Sequence, residues 1–165
     1  MIVRRERPAD SEAVAAAHRA AFPTDVEARL TDELREDVGS LPHLSLVAVD
    51  GDDVVGHVIA TRGWVEPHGA PALGLGPLGV RPEAQGRGVG TVLVHALVAV
   101  AEAAGERLVA LLGDPAYYAR MGFVPAADLG VAAPDPAWGA HFQARALTDP
   151  WPRGTFRYAA PFDRL

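Results

Sequence analysis

The stretch Leu78-Gly79-Val80-Arg81-Pro82-Glu83-Ala84-Gln85-Gly86-Arg87-Gly88-Val89-Gly90-Thr91 constrains this chain more than any other. An apolar run enters it, a glycine-rich turn follows, and an apolar-striped helix leaves it. Strand, glycine turn and helix start together make a phosphate cradle. Glycines let the backbone approach closely, their N–H groups point into the turn, and the helix N-terminus adds partial positive charge. A glycine turn alone is a weak signal, so its context decides. A Rossmann reading fails on order: its glycine loop follows the first strand of a βαβ unit, with an acid about twenty residues on. Here several strands come first. A Walker A reading fails because no Gly-Lys-Ser/Thr occurs.

Upstream, Ile2–Arg5 reads as a strand, and a helix capped by Asp10 or Ser11 runs to about Ala21. Phe22-Pro23 ends it. Thr24 and Glu27 form a capping box for a second helix, striped by Val26, Leu30, Leu34 and Val38 and stopped by Gly39. Leu44–Val49 and Val54–Ala60 make a hairpin across Asp50-Gly51-Asp52-Asp53. Trp64–Pro71 reads as a loop carrying Glu66 and His68. Leu73–Val80 is a strand interrupted by Gly74, Gly76, Pro77 and Gly79, which signals a bulge or close approach by a ligand.

Downstream, the helix from Gly88 to about Ala104 closes at Gly105. A buried strand over Arg107–Leu112, a short helix over Ala116–Met121 and a strand at Phe123-Val124 follow. Residues 126–140, rich in Pro, Gly and Ala, read as an ordered loop. Phe142–Leu147 and Thr155–Tyr158 read as a final antiparallel pair. Hairpins first and a parallel crossover later predict a mixed α/β sheet, expected as one domain over residues 1–165.

Composition excludes several classes. Net charge is −6, with no Lys/Arg cluster along one face, so no nucleic-acid footprint is present. The absence of cysteine excludes disulfides, thiol nucleophiles and thiolate metal sites, and no metal site is expected. No apolar run reaches bilayer length, and Met1 to Arg7 lacks the apolar core of a secretory signal. A cytoplasmic location is the default expectation. Richness in Ala, Arg, Gly and Pro, with a dearth of Lys, points to a GC-rich bacterial genome.

Gln85-Gly86-Arg87-Gly88-Val89-Gly90 resembles the Gln/Arg-x-x-Gly-x-Gly/Ala motif of the GCN5-related N-acetyltransferases (GNAT superfamily). Tyr117-Tyr118-Ala119-Arg120-Met121-Gly122-Phe123 resembles that superfamily's Phe/Tyr-Tyr-x-Arg/Lys-x-Gly-Phe block. The Leu-Gly-Asp-Pro-Ala-Tyr-Tyr segment and the Gly-Thr-Phe-Arg-Tyr-Ala-Ala-Pro-Phe ending look similar to the YhbS-like subgroup of predicted acetyltransferases. The resemblance implies a mostly antiparallel central sheet, opened at the CoA-binding strand and flanked by helices. It implies acetyl-CoA as co-substrate and a primary amine, on a small molecule or a peptide, as acceptor. Leu78, Gly79 and Val80 would pair with the pantetheine arm as an added strand. Gln85, Gly86, Arg87, Gly88, Val89, Gly90 and Thr91 would hold the pyrophosphate, with Arg120 reaching a CoA phosphate. Tyr118 would sit by the CoA sulfur. A phenol of pKa about 10 keeps its proton at neutral pH and can give it to the leaving thiolate.

Two departures stand out. Where the superfamily commonly carries an Asn before the Tyr, this chain has Gly113-Asp114-Pro115. Asp114 either accepts a hydrogen bond from the cofactor or caps the short helix. The strand Leu73–Val80 lacks the acid that often serves as general base. Glu27, His57, Glu66 and His68 are the remaining candidates, with Glu27 favoured because helix two of this fold borders the acceptor site. A water chain without a dedicated base is the other route. The missing strand acid keeps a non-catalytic acyl-CoA-binding module as the alternative. A homodimer is left open. Phe142, Trp151, Phe156 and Tyr158 wall the acceptor pocket, fill the core, or face a second subunit.

Overall fold

Strands rich in valine, leucine and alanine, each flanked by polar turns, pair into one nine-stranded sheet in this computed structural model, which describes residues 1–165. The strands are β1 (Ile2–Arg5), β2 (Ser45–Asp50), β3 (Asp53–Glu66), β4 (Ala70–Val80), β5 (Leu108–Leu112), β6 (Val124–Pro125), β7 (Val131–Ala132), β8 (Phe142–Ala146) and β9 (Gly154–Arg157). The helices are α1 (Ser11–Ala21), α2 (Val26–Glu36), α3 (Val89–Ala103) and the single turn α4 (Pro115–Tyr118). Strand order is β1-β2-β3-β4-β5-β8-β6, with β9 on β3 and β7 on β9. Only β4–β5 and β7–β9 are parallel. No helix is long and apolar enough to cross a membrane.

The sheet alternates its faces. Leu46, Ala48, Val58 and Ala60 join Leu93, Leu97 and Ala101 of α3 in the largest core cluster. The other face meets α1 through Val14 against Val47, Val49 and Val54. It meets α2 through Leu30 and Leu34 against Ile59.

The feature that positions the site is a parting of strands. β4 and β5 are paired only at Leu73↔Val109 and Gly74↔Ala110. Beyond Gly74, β5 continues against β8 to Leu112, while β4 stays with β3 to Val80. The β3–β4 register slips between Val58 and Ala60, opposite Gly76 and Pro77. Gly76 takes φ 141°, open to glycine, and Pro77 brings no N–H to a ladder. The bulge turns β4 away from β5, leaving the β5-facing edge of Leu75–Val80 without a strand partner.

Several expectations are corrected. Trp64–Glu66 and Ala70-Pro71 are strand, not loop, leaving a turn at residues 67–69. From Thr61 to Glu66 buried and half-buried residues alternate, a period hidden because Arg62, Gly63 and Trp64 break the apolar pattern. Trp64 is covered by the Arg157 guanidinium, 4.4 Å from its ring centre. The Thr24–Glu27 capping box does not form: α2 starts after Asp25, and Thr24 only accepts from the Val26 N–H at 3.4 Å. Val38, beyond the end of α2, is 99% exposed. Asp10 stands at the N-cap position of α1 but makes no side-chain cap bond, because Arg4 at 2.7 and 2.9 Å and the Arg7 N–H occupy its carboxylate. The final two strands do not pair with each other; β8 joins β5 and β6, and β9 joins β3 and β7.

Candidate active site

Two cavities lie along the parted edge of β4. The smaller, about 350 Å³, is formed by Val80, the turn after it, the first residues of α3, Tyr117 and Arg120. Gly86 and Gly88 take φ 72° and 80°, and a Cβ on either would meet only open space, so the conformation, not crowding, selects glycine there. Gly90 is chosen by contact instead, since a side chain on it would run into the Tyr117 hydroxyl. The turn leaves donors free. No backbone carbonyl takes the N–H groups of Gly86, Arg87, Gly88, Gly90 or Thr91, and Gly88 at the helix start brings no side-chain cap. Those donors at a helix N-terminus suit a phosphate.

Of the predicted cradle residues, Gln85, Gly86, Gly88, Val89, Gly90, Thr91 and Arg120 line this cavity. Gln85 also ties the turn to the strand, donating from Nε2 to the Val80 carbonyl at 2.9 Å. Arg120 lies 5.1 Å over the Tyr117 ring. Arg87 points elsewhere: its guanidinium is exposed and 3.6 Å from Asp50. Asp114 lines neither cavity; its carboxylate caps α4 through the Ala116 N–H at 2.9 Å.

The larger cavity, about 860 Å³, opens where β4 leaves β5. Leu75, Gly76, Pro77 and Leu78 form one side, Leu112 and Tyr118 the other. Phe22, Glu27 and Leu30 come from the α1–α2 corner, and β9 with the C-terminal turn supplies the far wall. Tyr117 and Tyr118, adjacent in sequence and packed edge to face at 4.9 Å, thus serve different cavities. Burial, with Tyr117 alongside, pushes the Tyr118 phenol up to about 12. Gly113 is required beneath it, because a Cβ there would enter the Tyr118 ring.

Glu27 and Tyr118, far apart in sequence, line this same cavity. The Glu27 Oε2 atom is buried and has no hydrogen-bond partner. Glu66 also reaches the cavity, but Arg157 holds it at 3.0 Å. His68 stands exposed in the β3–β4 turn. His57 faces the opposite way, into the α1 interface: its Nδ1 lies 2.9 Å from His18 Nε2 and its Nε2 2.9 Å from Ser45 Oγ. Gly79 presents its missing side chain to that buried group as well, since a Cβ there would sit 2.6 Å from His18 Nδ1.

Phe142, Phe156 and Tyr158 are buried in one aromatic cluster, and Phe156 and Tyr158 also face the cavity. Trp151 lies away from it, donating to the Leu129 carbonyl at 2.9 Å. Sequence reasoning missed Phe22, Asp135, Trp138, Phe162 and Asp163 in the cavity wall. No motif marks them, since three short irregular segments bring them together.

An open-edged α/β sheet thus carries a free-donor glycine turn at a helix start, with a larger chamber beside it. The chain belongs to the acetyltransferase (GNAT) family, whose model matches residues 11–123. It is 35% identical over 150 residues to the uncharacterized N-acetyltransferase YhbS of Escherichia coli K12, covering 90% of this chain and 89% of that one. The crystal structure of E. coli YhbS, a GNAT family N-acetyltransferase in complex with CoA, superposes with a TM-score of 0.90 at 31% identity, covering 99% of this chain and 92% of that one. A GNAT family acetyltransferase from Brucella melitensis in complex with acetyl-CoA gives 0.79 at 32% identity, covering 98% and 97%. The mixed, opened sheet is therefore the GNAT fold.

Proposed function

We propose that the chain transfers the acetyl group of acetyl-CoA to a primary amine by direct attack. The observation that carries this reading is the convergence of Glu27 and Tyr118 on one chamber at the free edge of β4, next to the phosphate cradle. The relatives crystallised with CoA and acetyl-CoA support the donor. The free N–H groups of the glycine turn hold the pyrophosphate. The unpaired edge of Leu75–Val80 accepts the pantetheine arm as an added strand. Bound acetyl-CoA supplies the thioester carbonyl carbon.

Glu27 accepts one proton from the acceptor ammonium, leaving a lone pair to form the new C–N bond. Backbone N–H groups of the opened strand stabilise charge on the carbonyl oxygen. As the C–S bond breaks, Tyr118 delivers its proton to the sulfur. Its high pKa keeps it loaded at neutral pH. The amide nitrogen sheds its surplus proton to restore Tyr118, and Glu27 passes its own to water. The balance is one amide, one free thiol and one released proton.

Calorimetric titration with acetyl-CoA, CoA and NAD tests the first half of the reading, and thiol release with an amine panel the second. Acetyl-CoA should bind with a Kd on the order of micromolar and NAD should not. Binding without turnover of any amine would leave a non-catalytic acyl-CoA-binding module. No binding of acetyl-CoA would remove the proposed function.

A further inference from the structure

We propose that the acceptor is a small organic cation: a primary amine on an apolar body of aromatic size, bearing no anionic group. The inference rests on the acetyl-transfer reading and extends it to the far half of the larger cavity.

Two properties of the wall carry it. The first is aromatic. Phe22, Trp138 and Phe162 line the chamber as half-buried rings, and the buried Phe156 and Tyr158 back them. Tyr158 is fixed between Phe156 at 4.7 Å and Phe162 at 4.6 Å, with Trp138 at 6.4 Å. These rings already pack on one another, so a flat apolar body gains contact at a small ordering cost. Ring faces also attract an ammonium group.

The second property is charge. Four carboxylates, the half-buried Glu27 and Glu66 and, exposed at the rim, Asp135 and Asp163, line the chamber with one cation, Arg157. Arg157 is already engaged, 3.0 Å from Glu66 and 4.4 Å over Trp64. That leaves Glu27, Asp135 and Asp163 with no basic partner. Asp135 spends one oxygen on the Ala137 N–H at 2.9 Å. Glu27 Oε2 is buried without a hydrogen bond. An amine with its own carboxylate or phosphate would bring like charge into this field and find no free cation to meet it. An ammonium on a neutral apolar frame meets both properties at once.

The chamber is also bounded by folded chain. The C-terminal turn that carries Phe162 and Asp163 is fastened to α2 by the Arg164–Glu33 pair at 2.7 Å. A volume of about 860 Å³ holds the donor's acetyl end and a compact acceptor.

The test compares phenethylamine, phenylalanine and a lysine-containing peptide by thiol release at saturating acetyl-CoA. Their binding to the protein with CoA present is followed in parallel by calorimetry. Phenethylamine should exceed phenylalanine in kcat/KM by at least about tenfold. The paired change Asp135→Asn with Asp163→Asn should shrink that ratio by at least about threefold, with acetyl-CoA affinity and circular dichroism unchanged. Trp138→Ala should weaken phenethylamine by a larger factor than ethylamine, and an equal loss for both would count against the aromatic wall. Equal use of phenylalanine, preference for the peptide, or an unchanged ratio in the paired variant overturns the inference. Phenethylamine binding without acetyl transfer supports the chamber's preference and removes the transfer reading. Acetyl transfer to the peptide alone does the reverse.

Discussion

Mild acid should loosen the packing of α1 on the sheet through His18, and the size of the effect follows from its bonding. His18 and His57 are fully buried. Ser45 Oγ donates to Glu6, so it accepts from the His57 Nε2–H at 2.9 Å. His57 Nδ1 then accepts from the His18 Nε2–H at 2.9 Å. That leaves His18 Nδ1 as a bare lone pair against Gly79, buried with no partner. A proton placed there finds no acceptor. Burial above all, then the neighbouring His57 and Arg35, hold His18 down at about 3, against a small opposing pull from Glu6. His57 is lowered by burial too, and Glu6 opposes that shift.

The unfolded imidazole takes up its proton near 6.5. The unfolded state therefore binds protons first as the pH falls. Stability is full above 6.5 and is lost progressively toward about 3. At pH 5 the unfolded imidazole is almost wholly protonated and the buried one is not, which costs about 2 kcal/mol through His18 alone. Glu6 does not interfere in this window. Burial raises it, but hydrogen bonds from His57, Arg35 and Ser45 prevail and hold it at about 2, so its share is lost only below 4.5. With a urea slope of about 2 kcal/mol/M, the midpoint should fall by about 1 M between pH 7.5 and 5. His18→Leu should flatten that dependence, whatever it does to absolute stability. Coincident midpoints at the two pH values, or an unchanged slope in His18→Leu, would refute the buried neutral pair.

Tyr118→Phe should lower kcat by roughly 10²-fold or more while acetyl-CoA affinity, read by calorimetry, stays within about twofold. A wild-type rate would remove Tyr118 as the proton donor. Glu27→Gln should cut kcat/KM for amines by about 10² or more and leave acetyl-CoA binding intact; undiminished turnover would favour a water chain. Gly90→Leu drives a side chain into the Tyr117 hydroxyl, and Gly88→Val strains a φ of 80°. Both should abolish acetyl-CoA binding with circular dichroism preserved, and retained affinity would sink the cradle assignment. Arg62→Ala leaves Glu106 half-enclosed without its two 2.8 Å bonds. It should cost about 2 kcal/mol, seen as a fall of about 4–8 °C in Tm.

The cradle was legible because its chemistry is local. A turn with left-handed glycines opening a helix is written in consecutive residues, and Gly86, Gly88, Val89, Gly90 and Thr91 line one cavity as their order implies. Tyr117-Tyr118 was legible for the same reason. Arg87 was not, because its partner Asp50 lies in a distant turn that the motif does not contain. Nor was the second half of β3, where Arg62 and Trp64 hide the strand period. Their cover comes from Glu106 and Arg157, more than forty residues away.

Sequence alone yielded the element order through α3, an interruption of β4 around Gly76-Pro77 and the glycine turn that opens α3. Each depends on backbone freedom and short-range periodicity, which neighbouring residues carry. Tertiary structure alone decided that β8 and β9 separate to opposite parts of the sheet. It decided that His57 turns toward α1 while Glu27 faces the chamber. It also decided that Phe22, Trp138 and Asp163 share one wall. Those choices depend on which long-range pairings bury the most apolar surface and satisfy the most polar atoms at once, a balance no single stretch of chain contains.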